Sequence, residues 1–386
     1  MREISSIPFG RPWITDNERE AVQQVLEGHI LTHGVKCEEF EDAFARFVGG
    51  DAYCLTVSSC MSALYLAYFQ MGIGFGDEVI VPAQTHVATG HAVELAGAKP
   101  IFIDCESLTG NIDINKIEKA ITKKTKAITV VHYLGLPVDM QKIKKIAYRY
   151  RLYVIEDCAL SLGAKVGKTH TGLCGDAGVF SFYPVKHMTT AEGGMVITNN
   201  KKLAKKIRLK KAFGIDKSHG ERKMPGIYNA VELGFNYRMS EIQSVLGIEQ
   251  LKKVPLFLKK RNKNFKKLAY LIKNEKKVKI LKGLKKYLKS SHYCLSIILD
   301  NSIAKHRNSI IAGLKNEGVG SSIYYPHPVP RMSYYKKKYG YLKKNFLNAS
   351  RISDHSIALP VGPHLSKNDT TIVAKKVIKL IEKYSK

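Results

Sequence analysis

The chain has 386 residues, 45% hydrophobic and 25% charged, which is typical of a globular protein with one large or two ordinary domains. No apolar run reaches the roughly 18–20 residues that cross a bilayer, and the first residues lack the apolar core of a signal peptide, so we expect a cytoplasmic protein without membrane contact. The formal net charge of +29 raises the question of nucleic-acid binding, whereas seven scattered cysteines without a C-x-x-C pair predict reduced thiols and no metal site.

The first two thirds of the chain alternate helical and strand patterns. Helices are predicted over 17–26, 35–48, 60–71 and 141–150, and strands over 53–57, 76–81, 100–104, 127–132 and 152–156. Short, almost continuous apolar strands between helices indicate an α/β fold with a mostly parallel sheet covered on both faces.

The pattern changes after Gly234. A helix is predicted over 239–251, lysine-rich helices follow, and a strand over 293–299 precedes helices over 303–316 and 372–384. We therefore predict a large domain over 1–250 and a smaller α+β domain over 251–386, with the N-terminal segment free to pack on the smaller domain.

The basic residues concentrate in one stretch. Between Lys252 and Lys289 there are sixteen Lys or Arg residues and one acid, Glu275. Apolar residues recur there at helical spacing, which favours an amphipathic helix with a solvated lysine face over a nucleic-acid site. A positive field that attracts an anionic substrate is the alternative. The apolar positions are Phe265, Leu268, Ala269 and Ile272.

Lys186 and Asp157 carry the chemistry that the sequence suggests. Lys186 follows an apolar run and precedes the Gly193-Gly194 pair and a second apolar run, whereas a surface lysine would need no such surroundings. A lysine of this kind forms a Schiff base with an aldehyde cofactor. Asp157 ends a predicted buried strand, where it could charge the pyridine nitrogen of pyridoxal phosphate or cap a helix. Strand alternation points its neighbour Glu156 to the other side.

Two further features fit a phosphorylated cofactor. The segment Ser58-Ser59-Cys60-Met61-Ser62 lies between a strand and a helix, where backbone N–H groups bind anions, although it could be an N-cap and nothing more. Ser181 could add a hydroxyl. His86 follows a strand and could stack on the cofactor ring, or it could be merely structural.

Motifs along nearly the whole chain make a resemblance visible. The chain resembles the DegT/DnrJ/EryC1/StrS family of nucleotide-sugar aminotransferases, which are similar to fold-type I pyridoxal phosphate enzymes. The stretches that carry it include Gly28-His-Ile-Leu-Thr-His-Gly34, Glu38-Glu-Phe-Glu41, 74–87, 97–104, 156–164, the segment around Lys186, Gly234-Phe-Asn-Tyr-Arg-Met-Ser-Glu241 and Ala358-Leu-Pro-Val361.

The resemblance implies a homodimer with sites at its interface. In it, Lys186 would bind the cofactor and move protons, and Asp157 would pair with the ring nitrogen. Ser59, Cys60, Met61 and Ser181 would hold the phosphate, Asn236 would reach it across the interface, and His86 would take the place of the ring-stacking aromatic. His33, Tyr325 and His327 are the candidates for substrate contact, the last two within Tyr324-Tyr-Pro-His-Pro328.

The sequence departs from the family pattern in two places. Many relatives read Ser-Gly-Thr where this chain reads Ser59-Cys60-Met61, so a hydroxyl is lost, for which backbone donors and Ser62 could compensate. Many relatives carry Gln or His where this chain has Leu160, and Ser161 could substitute. We interpret both as adjustments, because the lysine and the aspartate persist.

The implied reaction moves an amino group from glutamate or glutamine to a keto group of a nucleotide-linked sugar. The product would be an amino sugar for a surface glycan such as lipopolysaccharide O-antigen. One alternative is a sugar 3-dehydratase, in which histidine replaces the lysine. A shift of one residue in the predicted register would place His187 at that position. The other is a non-catalytic basic binding or regulatory protein on the same scaffold.

Overall fold

The computed structural model describes residues 6–49, 51–216, 224, 226–283 and 285–385. The helices are α1 Asp16–Glu27, α2 Val35–Val48, α3 Cys60–Gln70, α4 Val87–Leu95, α5 Ile117–Ala120, α6 Met140–Tyr150, α7 Lys201–Lys210, α8 Glu241–Ile272, α9 Arg307–Asn316, α10 Ser333–Tyr339, α11 Leu347–His355 and α12 Asp369–Ser385. The strands are β1 Tyr53–Val57, β2 Glu78–Pro82, β3 Lys99–Ile103, β4 Thr125–Val131, β5 Tyr153–Asp157, β6 Lys165–Val166, β7 Thr169–His170, β8 Ala177–Ser181, β9 Gly194–Thr198, β10 Val278–Ile280, β11 Leu288–Lys289, β12 Leu295–Leu299 and β13 Ser356–Leu359.

The main sheet has seven strands in the order β1-β9-β8-β5-β4-β2-β3. Only β9 runs against the others, because it pairs antiparallel with both β1 and β8 while the remaining pairs are parallel. The prediction of a mostly parallel sheet is therefore confirmed, and β5, which ends in Asp157, lies at its centre.

Both faces of this sheet are buried, which explains the continuous apolar strands. Neighbouring residues of one strand enter different cores: Ile155 packs with Leu64 of α3, whereas Val154 packs with Ile143 of α6. Helices cover each face, as a parallel sheet requires.

A smaller antiparallel sheet, β10-β12-β13, forms the C-terminal part of the fold. It shares an apolar cluster with the end of α8, with α9 and with α12, and this cluster also contains Ile7. Ile7 forms a bridge with Val319, so the N-terminal segment packs here. The strand predicted from residue 293 begins at Leu295, because the Tyr293 N–H donates to the carbonyl of Leu134 instead of entering the sheet.

Helix α8 corrects the prediction of several helices after residue 239. It runs for 32 residues through Pro255, although an interior proline costs about 3 kcal/mol. Its packing against α1 and α2 at one end and α12 at the other offsets that cost. Leu268 and Ile272 are buried while Lys263 and Lys266 are exposed, as the amphipathic pattern predicted. The division at residue 250 falls inside α8 and stays a prediction.

Across the described ranges, every helix is either too short or too polar to cross a membrane.

Candidate active site

The carboxyl ends of the parallel strands meet at one edge of the main sheet, where open α/β folds place their ligand contacts. Strand register aligns Val57 and Ser181 on either side of Gly194. Asp157 pairs with Val179, two residues before Ser181. The ends of β1, β5 and β8 therefore bring the predicted phosphate and ring contacts to one place.

Asp157 is buried, with 5% of its surface exposed, and both its oxygens are oriented by hydrogen bonds. Oδ2 accepts from the Thr89 hydroxyl at 2.8 Å, and Oδ1 accepts from the backbone N–H of Ala159 at 3.0 Å. Thr89 in turn is hydrogen-bonded to Thr85 at 2.8 Å. The bond to Ala159 closes a turn, but the described elements that follow β5 are strands, and the next helix begins only at Lys201, so the helix-capping alternative is wrong. The bond from Thr89 holds the carboxylate in place at the edge of the sheet.

Glu156 lies on the opposite side of β5, as strand alternation predicted. Its Oε2 binds the His132 ring at 2.9 Å, and its Oε1 accepts from the backbone of Cys174 at 2.8 Å and of Gly175 at 2.6 Å. Burial acts to raise the pKa of Glu156, but the bond and charge from His132 and backbone N–H donors outweigh it, so the pKa is lowered. Glu156 is thus part of the core.

Lys186 faces the site from the loop after β8. Its Nζ lies 5.8 Å from the centre of the Tyr293 ring. Burial lowers the pKa of Lys186, while the nearby groups Cys60 and Asp157 act in the opposite direction. These surroundings differ from those of a solvated surface lysine, and they bring Lys186 within electrostatic range of Asp157.

His187, the neighbour that the dehydratase alternative would use, turns elsewhere. It is buried, and its Nε2 lies 3.2 Å from the carbonyl oxygen of Ser291. Burial and the positive charge of Arg261 lower the pKa of His187, so the ring is neutral. Lys186, rather than His187, therefore shares the space with Asp157.

The turn before α3 offers backbone donors at a helix N-terminus, the kind of group that binds anions. Ser59 caps the helix: its Oγ accepts from the Ser62 N–H at 3.1 Å, and the Ser62 Oγ donates to the Ser59 carbonyl at 2.7 Å. The backbone N–H groups of Cys60 and Met61 belong to the first helical turn, where no intrahelical acceptor exists. The turn therefore caps the helix, as the N-cap interpretation predicted, and still leaves two backbone donors for an anion.

Gly194 leaves room for this turn. A Cβ at position 194 would lie 2.6 Å from the carbonyl carbon of Ser59 and 2.7 Å from the nitrogen of Cys60. The second glycine of the Gly193-Gly194 pair is therefore required by close approach of two backbones. Ser181 is half-buried beside it, at the end of β8.

The two hydroxyl groups that could compensate for the departures from the family pattern are both hydrogen-bonded to other groups. The Ser62 hydroxyl is used within the cap, and the Ser161 hydroxyl is hydrogen-bonded with Thr171 at 3.2 Å. Leu160 is buried in the core with Tyr133. Burial raises the pKa of the Cys60 thiol, with the charge of Asp157 adding to it, so Cys60 stays protonated.

His86 stands at the start of α4, where its Nδ1 accepts from the Ala88 N–H at 3.2 Å. Its ring meets that of Tyr325 with centroids 5.6 Å apart. Partial burial lowers the pKa of His86, and the charge of Lys186 lowers it further. The residue thus has the structural capping role that the plainer interpretation predicted, and its neutral ring also lies near Lys186.

The three substrate candidates separate. Tyr325 is buried beside His86, and this burial raises the pKa of its phenol, with the charge of Asp157 adding to the effect. His327 is exposed, with Nδ1 3.4 Å from Arg331. His33 lines a different cavity, of about 620 Å³, whose other walls include Phe213 and Arg238.

Asn236 is exposed and forms a bridge with Ala212. The adjacent carbonyl of Tyr237 accepts from the Ser58 N–H at 2.8 Å. Sequence reasoning missed Thr89 and Tyr293, because a threonine in a helix and a tyrosine before a strand carry no signal until the fold places them.

The arrangement of Lys186, Asp157 and the turn before α3 agrees with the known proteins that this chain resembles. The sequence profile described as the DegT/DnrJ/EryC1/StrS aminotransferase family matches residues 12–378. The chain belongs to this family.

Three known proteins illustrate the likeness. The UDP-4-amino-4,6-dideoxy-N-acetyl-beta-L-altrosamine transaminase of Campylobacter jejuni (strain 81-176) is 33% identical, across 98% of this chain and 99% of its own. The solved structure of Helicobacter pylori PseC, an aminotransferase of pseudaminic acid biosynthesis, is 28% identical with a TM-score of 0.91, across 98% and 100%. The PLP-form of the sugar aminotransferase Spr1654 of Streptococcus pneumoniae is 26% identical with a TM-score of 0.91, across 98% and 99%.

Pyridoxal phosphate is the cofactor of this family member, and the residues fit it. The first turn of α3 offers backbone donors for a phosphate, and Gly194 lets this turn lie close against β9, because any Cβ there would overlap the backbone of Ser59 and Cys60. Asp157, fixed by Thr89, would face a charged ring nitrogen, and Lys186 is an amine whose pKa burial has lowered.

Proposed function

We propose that this aminotransferase moves an amino group from glutamate or glutamine to a keto group of a nucleotide-linked sugar, with Lys186 and Asp157 as its catalytic residues. One observation carries the assignment of the two residues: Lys186 and Asp157 share the carboxyl edge of the sheet, beside the first turn of α3. The product would be an amino sugar for a surface glycan such as O-antigen.

Pyridoxal phosphate, when bound, supplies an aldehyde that accepts amino groups and a ring that takes up the electron pair left by deprotonation. Asp157 would keep the ring nitrogen protonated, and its bond from Thr89 keeps the carboxylate in place. The lowered pKa of Lys186 increases the fraction of neutral amine, which can take a proton at Nζ and return it.

The phosphate would bind the N–H groups of Cys60 and Met61 together with the hydroxyls of Ser59 and Ser181. The N-terminus of an 11-residue helix also favours an anion by its dipole. His86 would lie against the ring, and Tyr325 behind it would close the sugar side.

Asn236 would complete the site of a second copy of the chain. It is exposed, and several large apolar side chains near it in the sequence are exposed as well, which is typical of a surface that another protein covers. They are Phe213 at 45%, Ile227 at 59%, Val231 at 51% and Leu233 at 70%. A homodimer would bury these side chains. His33 and His327 would contact substrate only if the second subunit places the substrate next to them.

The substrate class follows from the relatives. The Campylobacter jejuni relative is named for a UDP-linked 4-amino sugar, so a UDP-linked 4-keto sugar is the first substrate to test. We place the reaction in the cytoplasm, and all seven cysteines are free of disulfides, as a reducing compartment requires.

The two alternatives are less well supported. A 3-dehydratase would place a histidine beside Asp157, whereas Lys186 occupies that place and His187 faces Ser291. A non-catalytic basic protein has no use for a half-buried lysine within electrostatic range of a buried aspartate.

The decisive experiment uses the purified protein and Lys186→Ala. The wild-type protein should show a visible absorbance band of bound cofactor that bleaches when glutamate or glutamine is added, and it should aminate at least one member of a panel of UDP- and dTDP-linked keto sugars. Lys186→Ala should lose the band and turnover, with Lys205→Ala, an exposed lysine, as its control. A band that survives in Lys186→Ala would show that another residue binds the cofactor.

A further inference from the structure

Strand β1 is an outer strand of the main sheet, and its free edge is closed by two charged side chains. The backbone N–H of Thr56 donates to Oε1 of Glu41 at 2.8 Å, and the Thr56 carbonyl accepts from Nζ of Lys211 at 2.9 Å. Glu41 and Lys211 therefore take the place that a neighbouring strand would have.

The three residues form a closed unit. Lys211 also donates to Oε1 of Glu41 at 2.8 Å and to the Thr56 hydroxyl at 3.2 Å, which uses all three of its donors. Thr56, Glu41 and Lys211 are 0%, 4% and 8% exposed. Burying such charges is costly, and uncharged groups could close a strand edge with less desolvation, so stability alone is a weak reason for this arrangement.

The same unit is connected to the turn of this chain's proposed phosphate site and to the segment that carries Asn236. Two residues beyond Thr56, the Ser58 N–H donates to the carbonyl of Tyr237 at 2.8 Å, and the Tyr237 N–H donates to the carbonyl of Lys211 at 2.9 Å. Asn236 directly precedes Tyr237 in the chain and forms a bridge with Ala212, the neighbour of Lys211. One connected set of bonds thus joins the turn at 58–62 to the segment that carries Asn236.

We propose that Glu41 and Lys211 are positioning residues for the cofactor phosphate, acting through Thr56 on the turn at 58–62 and through Tyr237 on Asn236. This inference rests on the proposed phosphate site. It means that neither residue touches the cofactor, yet both set the placement of the backbone donors of Cys60 and Met61. Because Asn236 is proposed to serve the second copy, the same unit would align the phosphate contacts of both sites.

The test compares a ligand that has the phosphate with one that lacks it. Apoprotein is titrated with pyridoxal phosphate and with pyridoxal, following cofactor absorbance, for the wild type, Glu41→Gln and Lys211→Gln. We expect each variant to raise the Kd for pyridoxal phosphate by about tenfold, which corresponds to 1.4 kcal/mol, and to leave the Kd for pyridoxal within about twofold. Inorganic phosphate should also compete less well against pyridoxal phosphate in the variants.

Arg208→Gln is the matched control. Arg208 binds the other oxygen of Glu41, Oε2, at 2.6 Å and is half exposed, so its loss removes an ion pair from the same carboxylate without touching Thr56. Its ratio of the two Kd values should equal that of the wild type.

If the two residues had only a general structural role, the variants would bind pyridoxal phosphate and pyridoxal more weakly by the same factor. That result, or unchanged Kd values in the folded variants, would overturn the proposal. Should a variant fail to fold, amide exchange of the wild type decides: inorganic phosphate should slow exchange in peptides 53–57 and 209–213, and no response there counts against the proposal. A wild type that binds pyridoxal as tightly as pyridoxal phosphate would instead refute the phosphate site itself.

Discussion

At the scale of single residues, Glu156 and Asp157 show how alternation along one strand separates two carboxylates. Glu156 is satisfied by His132 and two backbone donors within the core, whereas Asp157 faces the edge where Lys186 lies. The sequence predicts this separation because successive strand residues point to opposite faces. It does not predict the bond from Thr89, because that residue reaches Asp157 only through the packing of α4.

Asp157→Asn should therefore remove the electronic role while keeping the shape. We expect kcat to fall by about 10³-fold, or about 4 kcal/mol, because the ring nitrogen would lose its charged partner. Steady-state turnover measures the fall in kcat, and the rate of the half-reaction with the amino donor, followed by absorbance, should fall with it. Glu156→Gln is the control: it should lower the unfolding temperature and leave most of kcat. A turnover of Asp157→Asn within threefold of wild type would contradict the assignment.

Gly194 gives a second prediction at this scale. In Gly194→Ala the added Cβ would overlap the backbone of Ser59 and Cys60, so the turn must shift. We expect the Kd for pyridoxal phosphate to rise at least about tenfold. Gly74→Ala, whose Cβ would lie 3.7 Å from its nearest neighbour, should leave that Kd unchanged. Equal Kd values for the two variants would show that the turn tolerates displacement.

At the scale of elements, α1 is fastened to α8 by one buried carboxylate. Glu18 is 1% exposed and binds Lys253 at 2.6 Å, Gln250 at 2.7 Å and the backbone N–H of Thr15 at 2.8 Å. Burial acts to raise the pKa of Glu18, but these bonds outweigh it and lower the pKa from 4.5 to about 2.

This linkage gives a pH dependence of stability. The unfolded chain binds a proton near pH 4.5 and the folded one only near pH 2, so the stabilisation is complete above pH 4.5 and is lost as the pH falls toward 2. It amounts to at most about 3 kcal/mol. Glu18→Gln should lower the free energy of unfolding at pH 7 and flatten its pH dependence in that window. Glu20→Gln, an exposed change in the same helix, should do neither.

At the scale of the whole molecule, we propose that the site is completed by a second copy of the chain. If Asn236 acts across the interface, a mixed dimer of Lys186→Ala and Asn236→Ala subunits has one intact site, because Lys186 comes from one subunit and Asn236 from the other. We expect each homodimer to be nearly inactive and the mixture to regain up to about half of the activity per mixed dimer.

The readout is activity after refolding the two variants together, with each variant refolded alone as the control. If Asn236 instead served its own chain, the mixture of the two variants would show no recovery of activity.

Leu233→Asp should weaken the dimer, because an exposed apolar side chain would become charged within the interface. Sedimentation measures that change in dimer stability.

The net charge of +29 also belongs to this scale. The lysines of α8 form the solvated face of an amphipathic helix, and the site is built elsewhere, from the ends of β1, β5 and β8. Charge counted along the sequence therefore says little about function until the fold separates one face of a helix from the other.

The sequence by itself determined the mostly parallel sheet and the two-sided burial of its strands, and it singled out Lys186 and Asp157, the residues that we propose to be catalytic. These follow from local periodicity and from chemistry that few residue types can perform. The tertiary structure alone decided that α8 continues through Pro255, that His187 turns to Ser291, that the Ser62 hydroxyl is used within a cap, and that Glu41 and Lys211 close the edge of β1. Each of these depends on contacts between segments far apart in the chain, and such contacts leave no periodic trace in the sequence.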